Sequence, residues 1–140
     1  MTEVEMKART ESFALRVMRL VDALPAKRSA EVLGRQLLRS GTSVDANYRA
    51  ACRPQSRADM YSKLGVVEEE ADETGYWLEL IEESDLMPRE KISSLAKETD
   101  EIVRIIVASR LTMHTREAPE ASAKIKNQKS KIKNQVELHA

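Results

Sequence analysis

Apolar residues recur at steps of three and four in four separate segments of this chain, and prolines lie between the segments. Pro25, Pro54 and Pro88 mark the three breaks. A residue that precedes proline avoids the helical region, so a helix is expected to end near each of them. Steps of three and four place side chains on one face of a helix. The pattern predicts an all-α, antiparallel up-down-up-down four-helix bundle over residues 1–116.

The predicted helices have identifiable ends. Helix one is expected over about residues 5–24, and helix two is expected to begin after Ser29, whose hydroxyl is a suitable N-cap. Ser56 and Asp59 have the spacing of a capping box, which places the start of helix three near residue 57. Pro88 suits the first turn of helix four, where a missing N–H has no cost.

Small and polar residues in helix two predict a close crossing with a neighbouring helix. Gly41 lies on the apolar stripe of this helix. A glycine inside a helix costs about 1 kcal/mol relative to alanine, so its position indicates close approach. Ser40 and Asn47 flank the stripe, and we expect them to hydrogen-bond to a neighbouring helix if they are buried.

The net charge of zero conceals an acidic body and a basic tail. Residues 121–140 carry five lysines and one glutamate, so the first 120 residues carry the opposite charge of −4. Residues 117–140 are low in complexity and are expected to be mobile or weakly helical. Their lysines are candidate non-specific contacts to nucleic-acid phosphates, with a solubilising tail as the alternative. The candidates are Lys124, Lys126, Lys131 and Lys133.

Cysteine usage and hydropathy indicate a cytoplasmic protein. Cys52 is the only cysteine, so no internal disulfide can form and a reducing compartment is the simpler assumption. No stretch approaches 18 consecutive apolar residues, and the charged N-terminus lacks the apolar core of a signal peptide. We therefore expect no association with membranes.

Four arginines of helix two form the best candidate for a functional site. Arg35, Arg39, Arg49 and Arg53 fall within a sector of about 80° on the side opposite the apolar stripe. A row of guanidinium groups at this spacing can follow a phosphate backbone, which predicts binding of RNA or DNA. The alternative is a solvated face, or ion pairs with acidic residues of a neighbouring helix or subunit.

Helix three has a second apolar face, which predicts an interface. Val66, Trp77 and Leu80 point away from the main stripe of this helix. A helix with two apolar faces contacts more than one neighbour, here a partner helix or another subunit. A protein-binding adaptor or scaffold is therefore the alternative to nucleic-acid binding.

The residue types argue against an enzyme, a metal site, a cofactor or a small-molecule substrate. The chain has acidic residues at positions 68, 69, 70, 72 and 73, but carboxylate metal sites in bundles use Glu-x-x-His pairs, and neither His114 nor His139 follows a glutamate by three. No histidine lies in the body of the bundle to activate a serine or threonine of helix two. Cys52 lies beside two arginines, which would lower its pKa, although a structural cysteine is the simpler interpretation.

Two motifs resemble one known family. Residues 36–47, QLLRSGTSVDAN, are similar to the QLLRSATSIGAN signature of four-helix-bundle proteins encoded in intervening sequences of bacterial 23S rRNA genes. Residues 57–80 resemble the third helix of the same family. The departures are Gly41 in place of alanine, and Val44 and Asp45 in place of isoleucine and glycine. The resemblance implies a homopentameric ring, no enzymatic activity, and a nucleic-acid role like that of accessory proteins of diversity-generating retroelements.

Overall fold

The computed structural model describes residues 1–115, which contain four α-helices and no strand. The helices are α1 (Glu3–Asp22), α2 (Arg28–Ala51), α3 (Arg57–Glu83) and α4 (Arg89–Thr115). The predicted all-α class and the four helices are confirmed. The predictions for the basic tail concern residues outside this range.

The helices begin where side chains or backbone geometry satisfy free N–H groups. The Thr2 hydroxyl accepts from the Glu5 N–H at 3.1 Å and the Glu5 carboxylate accepts from the Thr2 N–H at 2.8 Å, so α1 begins two residues earlier than predicted. The Ser56 hydroxyl accepts from the Asp59 N–H at 3.0 Å, as predicted for α3. The Asp59 carboxylate accepts from the Gln55 N–H instead of completing the box.

The predicted N-cap of α2 is wrong. Lys27, with extended backbone and no side-chain cap, precedes the helix, and Ser29 lies inside the first turn. The backbone N–H of Glu31 donates to the Lys27 carbonyl at 2.9 Å, which forms the first turn without help from a hydroxyl. Short polar side chains are common N-caps but are not required for a helix to start.

Contacts between α1 and α2 show that the two helices are antiparallel. A Cβ placed on Gly34 would lie 3.3 Å from the Leu24 side chain, and one placed on Gly41 would lie 2.8 Å from both Cγ atoms of Val17. Further along, the Thr10 hydroxyl donates to the Asp45 carboxylate at 3.0 Å. As the residue numbers along α2 increase, the residue numbers of their contacts in α1 therefore decrease.

The remaining helix pairs close the bundle. The Thr74 hydroxyl of α3 donates to the Ser40 hydroxyl of α2 at 2.9 Å, and both side chains are buried. On the other side of the bundle, Arg16 of α1 donates to the Ser94 hydroxyl of α4 at 2.8 Å. Arg110 of α4 lies 4.3 Å from the centre of the Tyr61 ring of α3. These contacts, all within residues 1–110, give each helix two neighbours in the bundle.

The core follows the predicted stripes. The largest side chains that are fully buried are Phe13, Met6, Leu37, Leu64, Leu78, Ile81, Ile92, Ile102, Ile106, Val17, Val44 and Val67. Gly41 marks a close helix approach and Ser40 bonds to a neighbouring helix, so both predictions are confirmed. Asn47 is only half-buried, so the condition for its predicted inter-helix bond is not met, and its amide donates to the Ser43 carbonyl of its own helix at 2.8 Å.

Candidate nucleic-acid interface

Charge is segregated between neighbouring helices. Helix α2 has four arginines against two acidic residues, which gives it a net charge of +2. Helix α3 has two basic residues against nine acidic ones, which gives it −7. A polyanion that approaches the bundle is therefore attracted to the α2 side and repelled from the α3 side.

The four arginines of the predicted row are all exposed, but two of them form ion pairs across the bundle. Arg39 donates to Glu70 at 3.2 Å and to Glu73 at 2.5 Å, both on α3. The hydrogen bond from Arg39 holds the pKa of Glu73 below its ordinary value. Arg49 turns the opposite way and donates to Glu11 of α1 at 2.7 Å. The row is therefore divided between the two flanks of α2.

Arg35 and Arg53 remain available. Neither has an ion-pair partner among residues 1–115. Arg53 lies just beyond the C-terminal end of α2, and Arg35 is an exposed residue in the first half of the helix. Binding of nucleic acid by the four arginines stays a prediction. Arg35 and Arg53 could bind a phosphate without first breaking an ion pair.

A groove between the start of α1 and the end of α2 gathers three cations. Lys7, Arg49, Ala50 and Arg53 line it, and its volume is about 340 Å³. Lys7 lies 3.3 Å from Glu3 in an exposed pair on its own helix. Reasoning from the sequence missed Lys7, because only the packing of α1 on α2 brings it beside Arg49 and Arg53. We refer to these three side chains as the basic groove.

Cys52 lies next to the basic groove in the sequence, but its thiol is not activated. The residue is half-buried, and burial raises the pKa of the thiol, with the negative charge of Glu3 acting in the same direction. The predicted lowering of this pKa is therefore wrong. Burial also raises the pKa of the neighbouring Tyr48 hydroxyl.

The second apolar face of α3 is partly buried within the single chain. Val66, Trp77 and Leu80 are all half-buried, and the Trp77 indole N–H donates to the Glu73 carboxylate at 3.3 Å. The exposed aromatic residue is Tyr76, which is 52% exposed and meets the Trp77 ring edge-on at a centroid distance of 4.9 Å. The interface role of Val66, Trp77 and Leu80 stays a prediction.

Residues 1–115 contain no group of three or more histidine, cysteine, aspartate or glutamate side chains arranged to hold a metal ion. Over the same residues, no helix combines the length and apolar character needed to cross a bilayer.

Sequence comparison decides the family. The profile of the 23S rRNA-intervening sequence proteins matches residues 2–108, which include all of α1, α2 and α3 and most of α4. The chain belongs to the 23S rRNA-intervening sequence protein family. The resemblance seen in the motifs of α2 and α3 is therefore confirmed.

A solved structure agrees with membership of the 23S rRNA-intervening sequence family. The chain is similar to a protein of unknown function of the S23 ribosomal protein family from Bacteroides thetaiotaomicron VPI-5482, with 36% sequence identity and a TM-score of 0.73. The match covers 79% of this chain and 98% of that protein. No curated protein sequence matches the chain.

Proposed function

We propose that this protein is a non-enzymatic, cytoplasmic four-helix bundle that binds RNA electrostatically, with the basic groove as its main contact. The observation that carries the proposal is the convergence of Lys7, Arg49 and Arg53 on one groove between α1 and α2. Clustered cations neutralise several phosphates of a nucleic-acid backbone at once and release their counterions. The family's description refers to 23S rRNA, which makes RNA the first probe to test and DNA the second.

The ion pairs around the basic groove are weak enough for a phosphate to replace a carboxylate as the partner of a cation. The Arg49–Glu11 pair is more than half exposed on both sides, and pairs of this kind contribute only about 0–1 kcal/mol. A phosphate that accepts from Arg49 can therefore replace Glu11 at little cost, while the longer 3.5 Å contact of Arg49 with Asp45 of its own helix remains. Arg39 holds two carboxylates of α3 and contributes less to the contact.

Arg35 and the tail extend the proposed contact. Arg35 lies on the outward face of α2 and makes no ion pair among residues 1–115. Lys124, Lys126, Lys131 and Lys133 lie outside that range, and we propose that they add affinity that does not depend on sequence. Contacts to phosphates position the protein on the nucleic-acid backbone, and they provide little sequence specificity because few base edges are contacted.

Fluorescence anisotropy with a labelled RNA hairpin tests the proposal. The double variant Lys7→Glu, Arg53→Glu should bind at least about 10-fold more weakly at 50 mM salt, because it reverses two phosphate contacts. The matched control is Lys97→Glu, Arg104→Glu, which makes the same change in net charge at exposed positions of α4. The control should lose only a small part of the affinity.

Two outcomes would refute RNA binding through the basic groove. The first is equal loss in the groove variant and its control, which would reveal a general effect of net charge. The second is no binding by the unaltered chain at 50 mM salt, where electrostatic contacts are strong. Repeating the titration with a DNA duplex of the same length decides whether RNA is preferred.

The second candidate function is a scaffold that assembles through α3. It is favoured by the exposed Tyr76 beside the half-buried Trp77 and Leu80 on a helix whose core face is already filled. Trp77→Ala should then weaken assembly or partner capture while circular dichroism shows unchanged helix content. Charge reversal of Arg35, Arg39, Arg49 and Arg53 separates the candidates, because only the first predicts loss of RNA. The homopentameric ring is part of this proposal, and native mass spectrometry of the full chain tests it.

A further inference from the structure

The outward side of α3 is a continuous acidic stripe with one aromatic residue at its centre. Glu69, Asp72, Tyr76, Glu79 and Glu83 follow one another at steps of three, four, three and four, and all five are exposed. This spacing aligns them along one face of the helix. Among residues 1–115, none of the four carboxylates has an ion-pair partner. We refer to these five side chains as the acidic stripe.

A groove with the complementary character lies between the end of α1 and the start of α4. Its floor is apolar, formed by Leu20, Ala23, Met87 and Leu95, and its volume is about 250 Å³. Its rim carries three cations and a hydroxyl, from Arg16, Arg19, Lys91 and Ser94. We refer to it as the α1–α4 groove.

The cations at the rim of the α1–α4 groove are available to a partner. Arg16 donates to the Ser94 hydroxyl at 2.8 Å, which fixes its position without neutralising its charge. Arg19 and Lys91 are exposed and have no carboxylate partner within the described part of the chain. Leu15, one helical turn before Arg19, is 42% exposed and adds an apolar side chain to the outer surface of α1.

We propose that the acidic stripe of one copy docks on the α1–α4 groove of a second copy of this chain. Tyr76 would enter the apolar floor, and the carboxylates on either side of it would meet the cations of the rim. Charge complementarity selects this occupant, because an acidic helix with a single exposed aromatic residue fits a basic rim around an apolar floor. The inference rests on the proposed scaffold function, for which it names the receiving surface, and it is independent of RNA binding.

The outward face of α2 is the competing receptor for the acidic stripe. It is also basic, with Arg35 and Arg53 free of ion pairs among residues 1–115. However, the described residues that line the basic groove on that side are Lys7, Arg49, Ala50 and Arg53, and none of these four has a large apolar side chain to receive Tyr76. The α1–α4 groove offers three such side chains at its floor. Burial of the tyrosine ring therefore favours it.

The two surfaces differ, so the contact joins unlike faces of identical chains. Such a heterologous contact repeats from copy to copy and closes into a ring when the rotation permits. The contact pairs the acidic stripe of one copy with the α1–α4 groove of the next, whatever the number of copies. It makes each subunit both donor and acceptor of the same contact.

A charge-exchange experiment on the full chain tests the pairing. The stripe variant is Asp72→Lys, Glu79→Lys, and the groove variant is Arg19→Glu, Lys91→Glu. Each should weaken self-association by at least about 10-fold in sedimentation velocity, because each sets like charges against each other. The chain that carries all four substitutions should recover association, since the charges are then exchanged. Arg104→Glu, at an exposed position of α4 that lines neither surface, is the control and should associate like the unaltered chain.

The same experiment contains the results that would overturn the inference. Association of both variants at the strength of the unaltered chain would show that these faces do not meet. If the four-fold variant does not recover association while circular dichroism shows intact helix content, the acidic stripe and the α1–α4 groove do not bind each other. A monomeric unaltered chain at about 100 μM, well above the Kd of a specific complex, would remove the second copy as occupant. If adding Arg35→Glu and Arg53→Glu to the stripe variant restores assembly, the acidic stripe binds the outward face of α2 instead.

The RNA-binding assay distinguishes failure of the docking inference from failure of the proposed RNA-binding function. The stripe and groove variants of the assembly test leave Lys7, Arg49 and Arg53 unchanged, so each subunit retains the basic groove. Loss of assembly with retained RNA binding per subunit supports the docking inference alone. Loss of RNA binding by Lys7→Glu, Arg53→Glu with retained assembly supports the first proposed function alone.

Discussion

Gly41 is the residue at which the packing of α1 on α2 is most sensitive to a single methyl group. A Cβ at this position would lie 2.8 Å from both Cγ atoms of Val17, which is fully buried. Valine is branched at Cβ and has few rotamers in a helix, so it cannot turn away from the added atom. The usual benefit of alanine over glycine in a helix therefore competes with overpacking.

Gly41→Ala is expected to lower the free energy of unfolding by about 0–2 kcal/mol. The change gains about 1 kcal/mol of helix propensity and loses about 1–3 kcal/mol to overpacking. In a Val17→Ala background the clash is absent, so the same substitution should stabilise by about 1 kcal/mol. Urea unfolding of the four chains of this double-mutant cycle measures the difference.

Gly75→Ala provides the matched control for Gly41→Ala. A Cβ at Gly75 would lie 3.7 Å from the Thr99 methyl group, which is an ordinary van der Waals distance. This substitution should therefore stabilise by about 0.5–1 kcal/mol. If Gly41→Ala stabilises the chain as much as Gly75→Ala does, the close approach of α1 and α2 is not as tight as described.

At the scale of the elements, ion pairs join α2 to α3 through Arg39. The guanidinium of Arg39 bonds to Glu73, and this bond is the largest cause that holds the pKa of Glu73 below the ordinary 4.5. A carboxyl group whose pKa is lower in the folded state stabilises the fold at neutral pH. That contribution is lost as the pH falls through the lowered pKa, because protonation removes the charge.

Arg39→Gln should therefore destabilise the chain at neutral pH and have less effect in acid. The difference in free energy of unfolding between the two chains should shrink as the pH is lowered from about 7 to about 3. Urea unfolding at several pH values measures it. Arg35→Gln serves as the control, because Arg35 has no carboxylate partner in residues 1–115 and its difference should not depend on pH. A constant difference for Arg39→Gln would contradict the assigned pair.

The sequence predicted the helices because their signals are local. The steps between Phe13, Val17 and Leu20 require nothing but the period of a helix, and these residues are buried as expected. The helix ends were less certain, because an N-cap such as Ser29 is one of several ways to satisfy free N–H groups. Lys27 satisfies none with its side chain, yet α2 begins after it.

The candidate site was predicted less well, because its geometry depends on how helices are rotated against each other. The exposure of Arg39 and Arg49 followed from helical angles, but their partners Glu73 and Glu11 lie on different helices. Lys7 joins the basic groove only through the antiparallel packing of α1 on α2. The helical period gives the side of a helix on which a residue lies, and it does not say what lies opposite.

At the scale of the whole molecule, charge is divided among surfaces that have different proposed partners. The basic groove, the acidic stripe and the α1–α4 groove lie on different helices or helix pairs, so one chain can present the proposed phosphate-binding surface and the proposed self-binding surfaces together. This separation explains why a net charge of zero is compatible with binding a polyanion. Affinity for RNA depends on local clusters of cations, and the balancing carboxylates are concentrated on α3.

The salt dependence of RNA binding is the property by which the contribution of the basic tail can be measured. If Lys124, Lys126, Lys131 and Lys133 each neutralise one phosphate, replacing all four by glutamine should reduce the slope of log K against log salt concentration by about 3 for single-stranded RNA. Replacement by arginine keeps the charge and should leave the slope unchanged. Titrations between about 50 and 200 mM salt provide both slopes. An unchanged slope in the glutamine variant would confine the phosphate contacts to the bundle, whereas equal losses in both variants would show that lysine is required for more than its charge.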